Sequence, residues 1–445
     1  MKKLIFLAVA AALVVAMAAP AFAVTAEFQG AYRIRGFYDS SRLLDDAQAN
    51  SHAWMDMRLR LQTTFVVNEN MQLVTRFDAL DNKRWSAGED NSGDIDFERA
   101  YMVVKTGYGT FEAGRMGGRM FGTLFQDGEI DADCIKYSKS YKDFTFLAIF
   151  EKVGEVDSTT FPVPDYSDSD AAIYYLGGIY NTEALNGGLL LSYTNSKTAS
   201  DATLDPNPYD SSFWDINPYV TGKWNAFTFT GEAVFRTGNA MEYDRKQYAA
   251  QNAGLNDVDW DAWAYNLEGG YVYGPLSFQL GYAWMQGQGS NANDTKVKSL
   301  ATLGGDWDKL WILTSTENDG IAGGLAGVGN LNCTERKIKG ANGAPCVVGH
   351  NGAKIFYAGV GYKPFDNLAL NFVYGNAKAE APVDSTWSKD YGSEYDFTVN
   401  YAINPNLNYM FIAAYLASGD FWQFGDSKMK LENNYSLFNE IKMSF

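Results

Sequence analysis

Histidine and cysteine are scarce in this chain, with two His and three Cys in 445 residues. The histidines are His52 and His350, so a Ser–His–acid hydrolase would need one of these two beside a nucleophile. No His-rich or Cys-rich metal cluster occurs, and no Cys-x-x-Cys-His stretch could attach a c-type haem. Acids scattered through the connections are read as solvated side chains, not as a calcium site. The expectation is therefore no enzyme, with no catalytic, cofactor-binding or metal residues and no cofactor. Cys134 stands at a strand start, where a small filler suffices. Cys333 and Cys346 share one Gly-rich connection with twelve residues between them, and Gly340, Gly343 and Pro345 can turn the chain back. A disulfide between them is expected in an oxidising compartment, stabilising the loop by about 3 kcal/mol in the chain-entropy account.

Long apolar runs are equally rare. The one candidate is Leu4–Ala19, preceded by Lys2 and Lys3 and followed by Ala21-Phe22-Ala23. A short apolar run between a basic start and a small-x-small site reads as a secretory signal peptide over 1–23, leaving 24–445 as the mature domain. No later stretch reaches the length of a membrane-spanning helix, so any insertion into lipid must be as a closed barrel. Positive charge is also short, with 36 Lys and Arg against 53 Asp and Glu. The formal charge of −17 becomes −19 without Lys2 and Lys3, which argues against a nucleic-acid partner. Much of the excess acid lies in connections, at Asp157, Asp165, Asp168, Asp201, Asp205 and Asp210.

What the chain has instead is alternation. In 52–67, Met55, Met57, Leu59, Leu61 and Phe65 oppose Asp56, Arg58, Arg60, Gln62 and Thr64. The same period of two recurs at 227–236, 276–286, 368–375 and 394–403, each with one apolar and one polar face. About eighteen such segments of about ten residues run from 27–38 to 435–445, the length a tilted strand needs to cross a bilayer. Short connections such as Asn225-Ala226, Gly274-Pro275 and Asn404-Pro405-Asn406 alternate with long ones, of which 116–133 and 287–352 are examples. That asymmetry predicts an all-β, antiparallel, up-and-down transmembrane barrel of about 18 strands (16 being the alternative), with short periplasmic turns and long extracellular loops. The segment 287–352 is expected to be a long extracellular loop. The last strand, Tyr435–Phe445, alternates to its final aromatic residue and is expected to close the barrel against the first, which removes both unpaired edges. No plug domain is expected before the first strand and no peptidoglycan-binding domain after the last.

Two stretches carry a family likeness. Glu98-Arg99-Ala100-Tyr101 followed by Gly109-Thr110-Phe111-Glu112-Ala113-Gly114-Arg115 resembles a hairpin of Gram-negative porins. Gly392-Ser393-Glu394-Tyr395-Asp396, the turn at Asn404-Pro405-Asn406 and Ala414-Tyr415 with Gly419-Asp420 resemble the closing strands of alginate-export-like porins. The resemblance implies an outer-membrane channel, embedded in lipid as a monomer or a homo-oligomer such as a trimer, passing small hydrophilic solutes or ions. Three readings follow. One is passive diffusion through a water-filled pore, the second a substrate-selective channel, and the third a barrel sheath around a multihaem cytochrome.

The polar faces of the first three strands carry Arg33, Arg35, Arg58, Arg60 and Arg76. Counted from the nearest strand end or short turn, Arg33, Arg60, Arg76 and Arg115 fall at one level, about 18–20 Å up a tilted strand. The facing of Arg115 rests on the porin resemblance, because Gly114 interrupts the alternation. The connection 116–133, which follows the fifth strand, is where porins fold a constricting loop into the lumen. It carries Asp127, Glu129, Asp131 and Asp133. The expectation is a pore lined by these six arginines, with the loop bent inward so that Asp127 and Glu129 oppose them across the narrowest point. The alternative is that the arginines only balance Asp56, Asp78 and Glu112 within the wall.

Overall fold

The computed structural model describes residues 24–41, 44–48, 51–86, 95–126, 131–155, 170–197, 209–243, 245, 252, 254–289, 295–300, 307–315, 351–382 and 384–445. Every expected segment is a strand. The first half contains β1 (Thr25–Asp39), β2 (His52–Asn68), β3 (Met71–Arg84), β4 (Ile95–Thr106), β5 (Gly109–Gly117), β6 (Asp131–Tyr141), β7 (Phe144–Gly154), β8 (Ala171–Asn181) and β9 (Leu185–Lys197). Then come β10 (Tyr209–Trp224), β11 (Phe227–Tyr243), β12 (Val258–Tyr273), β13 (Leu276–Met285) and the two-residue β14 (Lys296–Val297). The wall finishes with β15 (Ala353–Phe365), β16 (Leu368–Lys378), β17 (Asp390–Asn404), β18 (Leu407–Ser418) and β19 (Asn434–Ser444).

Each wall strand pairs antiparallel with its neighbours in sequence, and β1 pairs with β19 from Ala31↔Ser444 to Asp39↔Ser436. The result is a closed barrel of eighteen wall strands, with β14 lying parallel beside β12. The seam is completed past the last strand residue. The Phe445 N–H donates to Gly30 O at 3.0 Å, and the Gly30 N–H to Phe445 O at 2.8 Å. The Phe445 ring lies where a Cβ on Gly30 would stand, 2.8 Å away.

Polarity is inverted relative to a water-soluble fold. Leu280, Phe229 and Phe372 are exposed on the outer face, while Glu232, Asn266 and Glu394 are buried on the inner one. An apolar outer band with a polar interior is the arrangement lipid demands of a barrel. Aromatic side chains mark its two edges. Tyr108, Tyr141, Trp224, Tyr273 and Phe365 are exposed beside the short turns. Towards the other end, Tyr395, Tyr415 and Tyr435 sit one after another across β17, β18 and β19, at centroid spacings of 6.3 and 4.8 Å. Tyr101 shares the inner face with Val74 and packs against the buried Met116 cluster. No helix among the described residues is long and apolar enough to cross a membrane; strands make the crossing.

Candidate functional site in the lumen

The inner face of β1–β4 is a ladder of arginines, each set by its register. Arg35 donates from Nε and Nη2 to the two carboxylate oxygens of Asp56, at 2.8 and 2.7 Å. Arg60 grips Asp78, directly across the β2–β3 pair, at 2.8 and 2.7 Å. Arg58 lies 3.8 Å from Asp78 and 3.6 Å from Asp81. Arg33 and Arg35 both donate to Asn82 Oδ1 at 2.8 Å. Asn82 reaches them because the β2–β3 register jumps between Leu59↔Ala79 and Met57↔Lys83, with Leu80 and Asn82 at positive φ. Such a bulge re-aims a side chain that regular pleating would direct elsewhere. A second bulge, between Arg76 and Phe77, leaves Glu98 as the extra residue and sets Arg76 opposite Arg99. Both of these arginines close on Asp131, at 2.8 and 2.5 Å.

Asp56 and Asp78 do balance arginines within the wall, and a carboxylate from the end of the 116–133 connection, Asp131, also reaches the row. Glu112 does not take part, since Lys136 approaches it at 3.5 Å. Arg115 departs from expectation. The β4–β5 register runs unbroken through Tyr101↔Gly114, so Arg115 keeps the outer face of Phe111 and Ala113, opposite the buried Met116. There it meets Asp133 at 3.4 Å. Gly114 takes φ +130° without shifting the register, so the alternation carries Arg115 outward. Asp127, Glu129, Cys333 and Cys346 lie outside the described residues.

The loop after β5 turns into the lumen. Phe121 is buried, edge-on to Tyr219 with centroids 5.0 Å apart. Its ring occupies the space above Gly188, where a Cβ would come within 2.9 Å. Thr123 then bonds across the barrel to Glu232 on β11. Its N–H donates to Oε2 at 2.8 Å and its hydroxyl to the same oxygen, while Asn217 Nδ2 donates to Oε1 at 2.9 Å. Hydrogen bonds to a charged acceptor are worth about 1.5–3 kcal/mol each, so this carboxylate is a substantial anchor.

A second segment enters the lumen from the long connection between β13 and β15. Residues 307–315, within the loop whose position the sequence left open, are buried against the inner wall, with Trp307, Leu310, Ile312 and Leu313 almost wholly enclosed. The N–H groups of Ile312 and Leu313 donate to the two oxygens of Glu394, at 2.5 and 2.9 Å. That of Trp311 donates to Asp396 Oδ2 at 3.0 Å, and the Trp311 indole to Ser436 Oγ at 3.1 Å. Lys309 reaches Glu268 on β12 at 2.6 Å. The two inward segments touch where Trp307 stands edge-on to Phe125, with ring centroids 5.5 Å apart. Among the described residues no group of three His, Cys, Asp or Glu is placed to hold a metal ion.

The chain also has relatives. A family model described as Gram-negative porin matches residues 8–306. The chain belongs to the Gram-negative porins. It therefore resides in the outer membrane, as a channel-forming barrel. The matched span includes the 98–115 hairpin whose likeness was noted above and stops short of the closing strands. Among solved structures, this porin is similar to OccK8 (OprE) of Pseudomonas aeruginosa, with a TM-score of 0.52 and 13% identity over 94% of this chain and 98% of that one. A BenF-like porin from Pseudomonas fluorescens Pf-5 aligns with a TM-score of 0.49 and 14% identity, over 94% and 99%. At these identities the likeness extends to the fold alone. The sequence matches no curated protein.

Several luminal residues of this porin escaped the sequence reading: Arg99, Glu232, Glu268, and Glu394 with Asp396 as a pair. Glu232, Glu394 and Asp396 fall on the polar faces of alternating segments, but nothing local says what they hold. A signal for the second inward segment was present. Leu310-Trp311-Ile312-Leu313 is an unbroken apolar run inside an otherwise polar, Gly-rich loop, and such a run needs cover from water.

Proposed function

We propose that this porin is a passive diffusion channel for small hydrophilic solutes and ions, with its bore narrowed from two sides. The observation that carries the reading is the meeting of two loop segments inside the barrel at Phe125 and Trp307. Eighteen strands enclose a lumen wide enough for free water. Filling part of it with two packed segments restricts passage to small solutes. The arginine side keeps accessible charge. The Arg60 side chain is 28% exposed, whereas its partner Asp78 is 1% exposed. At this pair a passing ion therefore meets the guanidinium edge more closely than the carboxylate behind it. A sheath around a folded cytochrome is disfavoured, because the inward segments occupy the bore it would need.

The same double restriction favours one second reading, a substrate-selective channel. Purified protein in planar bilayers separates the two. Ohmic single-channel current, unaffected by added small sugars, amino acids or carboxylates, supports simple diffusion. Saturable block of the current by one solute class supports selectivity. Absence of any conductance from correctly folded protein refutes both.

A further inference from the structure

Glu394 and Asp396 pose a problem that the wall does not solve. They project inward from β17, two residues apart, and both are buried. Their cross-strand neighbours are Gly375 and Val373 on β16, and Leu416 and Ala414 on β18. No ion pair joins either of them to a base among the described residues. Acids buried against an apolar wall are costly unless donors are supplied. The donors come from the lumen, as three successive backbone N–H groups of Trp311, Ile312 and Leu313.

The segment itself is built as a compact turn. Thr314 Oγ1 accepts from the N–H groups of Lys309 and Leu310 and donates to Leu310 O, at 2.9–3.0 Å. Leu310 fills a notch at Gly375, where a Cβ would stand 2.3 Å from its Cδ2. At the other end of the turn, Trp307 lies between Tyr357 of the wall, with centroids 6.0 Å apart, and Phe125 of the first loop. Phe125 is fully buried in this same cluster. One face of the first loop is thus supported by a segment that the carboxylate pair holds in place.

We propose that 307–315 and 118–126 form one constriction unit, and that Glu394 and Asp396 are the positioning residues that fix where its narrowest point lies. The proposal rests on the channel reading above and adds a mechanical dependence: freeing the second segment also frees the first. Neither acid touches a permeating solute. They act by holding the backbone of a turn that braces Phe125.

The test compares full-length variants refolded into detergent, with heat-modifiable electrophoretic mobility confirming closed barrels. Glu394→Ala with Asp396→Ala removes the acceptors and is expected to raise single-channel conductance at least about twofold, with a larger polymer size limit. Glu394→Gln with Asp396→Asn keeps acceptor oxygens and should stay near the parent. Gly375→Val, which displaces Leu310 without touching the acids, should widen the pore as the alanine pair does. It decides the matter if the alanine pair fails to close a barrel. Trp307→Ala should also raise conductance, but should add nothing on top of the alanine pair, because both release the same unit. Unchanged conductance and size limit in the alanine pair and in Gly375→Val overturn the proposal. So does a Trp307→Ala effect that simply adds to the alanine pair, which would mean two independent loops. A parent protein that conducts no ions at all overturns the channel reading instead, and is distinguished by that control.

Discussion

Asp131 is the side chain whose loss should be felt by every passing ion. It holds Arg76 at 2.8 Å and Arg99 at 2.5 Å, and Glu98 stands 3.9 Å from Arg76. Two guanidiniums against two carboxylates leave this patch of the lumen close to neutral. Asp131→Asn preserves the side-chain shape and removes one negative charge, so the patch becomes positive by one unit. An ion passing about 7 Å away in water feels that unit by about 0.6 kcal/mol, halved to about 0.3 by a Debye length of about 10 Å in 0.1 M salt. Anions gain this energy and cations lose it, so the anion-to-cation permeability ratio should rise about threefold. The assay is the reversal potential of single channels in a salt gradient, repeated at high salt, where the shift should shrink. Asp133→Asn is the matched control. It lies two residues on, yet faces outward beside Arg115, and should leave the reversal potential alone. Equal shifts from both substitutions, or none from Asp131→Asn, would refute the claim that this arginine cluster borders the ion path.

Three further outcomes follow from the wall and its anchors. Leu280→Arg, on the exposed outer face, should lower folding stability in lipid by about 2–4 kcal/mol, whereas Arg at the inward Asn371 should be tolerated; equivalent losses in equilibrium unfolding from vesicles would mean the faces are exchanged. Gly30→Val drives a Cβ to 2.6 Å from Arg60 O and 2.8 Å from the Phe445 ring, and should cost about 1–3 kcal/mol by overpacking the seam. That loss should appear as slower barrel closure on refolding, with Phe445→Ala restoring part of it. Glu232→Ala strips Thr123 and Asn217 of their shared acceptor; it should enlarge the polymer size limit of the channel, and an unchanged limit would show that the packing of Phe121 and Phe125 holds the loop without this carboxylate.

The wall was legible because lipid imposes a rule that short stretches can express. A strand facing hydrocarbon on one side and water on the other must alternate, so the facing of Leu280 or Phe372 is readable from the residues next door. The seam was legible for the same reason. What was not legible depends on register slips and on contacts far apart in sequence. Asn82 joins the arginine ladder only through a bulge between β2 and β3, and Glu98 stands out only through one between β3 and β4. Arg115 was misplaced because a glycine was taken to break the alternation, whereas Gly114 takes up the unusual backbone angle and the pairing continues. The inward loop after β5 was anticipated from the porin resemblance, which places a constricting loop after the fifth strand. Its partner, 307–315, was not, because its anchors at Glu268, Glu394 and Asp396 are contributed by strands as much as 85 residues away.

These anchors also explain why the acidity of the whole chain is a poor guide to the pore. A formal charge of −17 would suggest a lumen that prefers cations. Yet the inward acids of β11, β12 and β17 described here are turned to loop donors: Glu232 to Thr123, Glu268 to Lys309, Glu394 and Asp396 to three N–H groups. A carboxylate committed to donors at 2.5–3.0 Å is shielded by them and lies behind the loop it holds. Arg58 and Arg60, with side chains 19% and 28% exposed, retain more contact with the open lumen than the Asp78 they share. Field strength at a passing ion depends on which charges remain uncovered at close range, because screening removes the rest within about 10 Å at 0.1 M salt. On the proposed channel reading, Arg60 and Arg58 are then the charges near Asp78 that a passing ion meets at closest range, and the acids of β11, β12 and β17 act through the loops they hold.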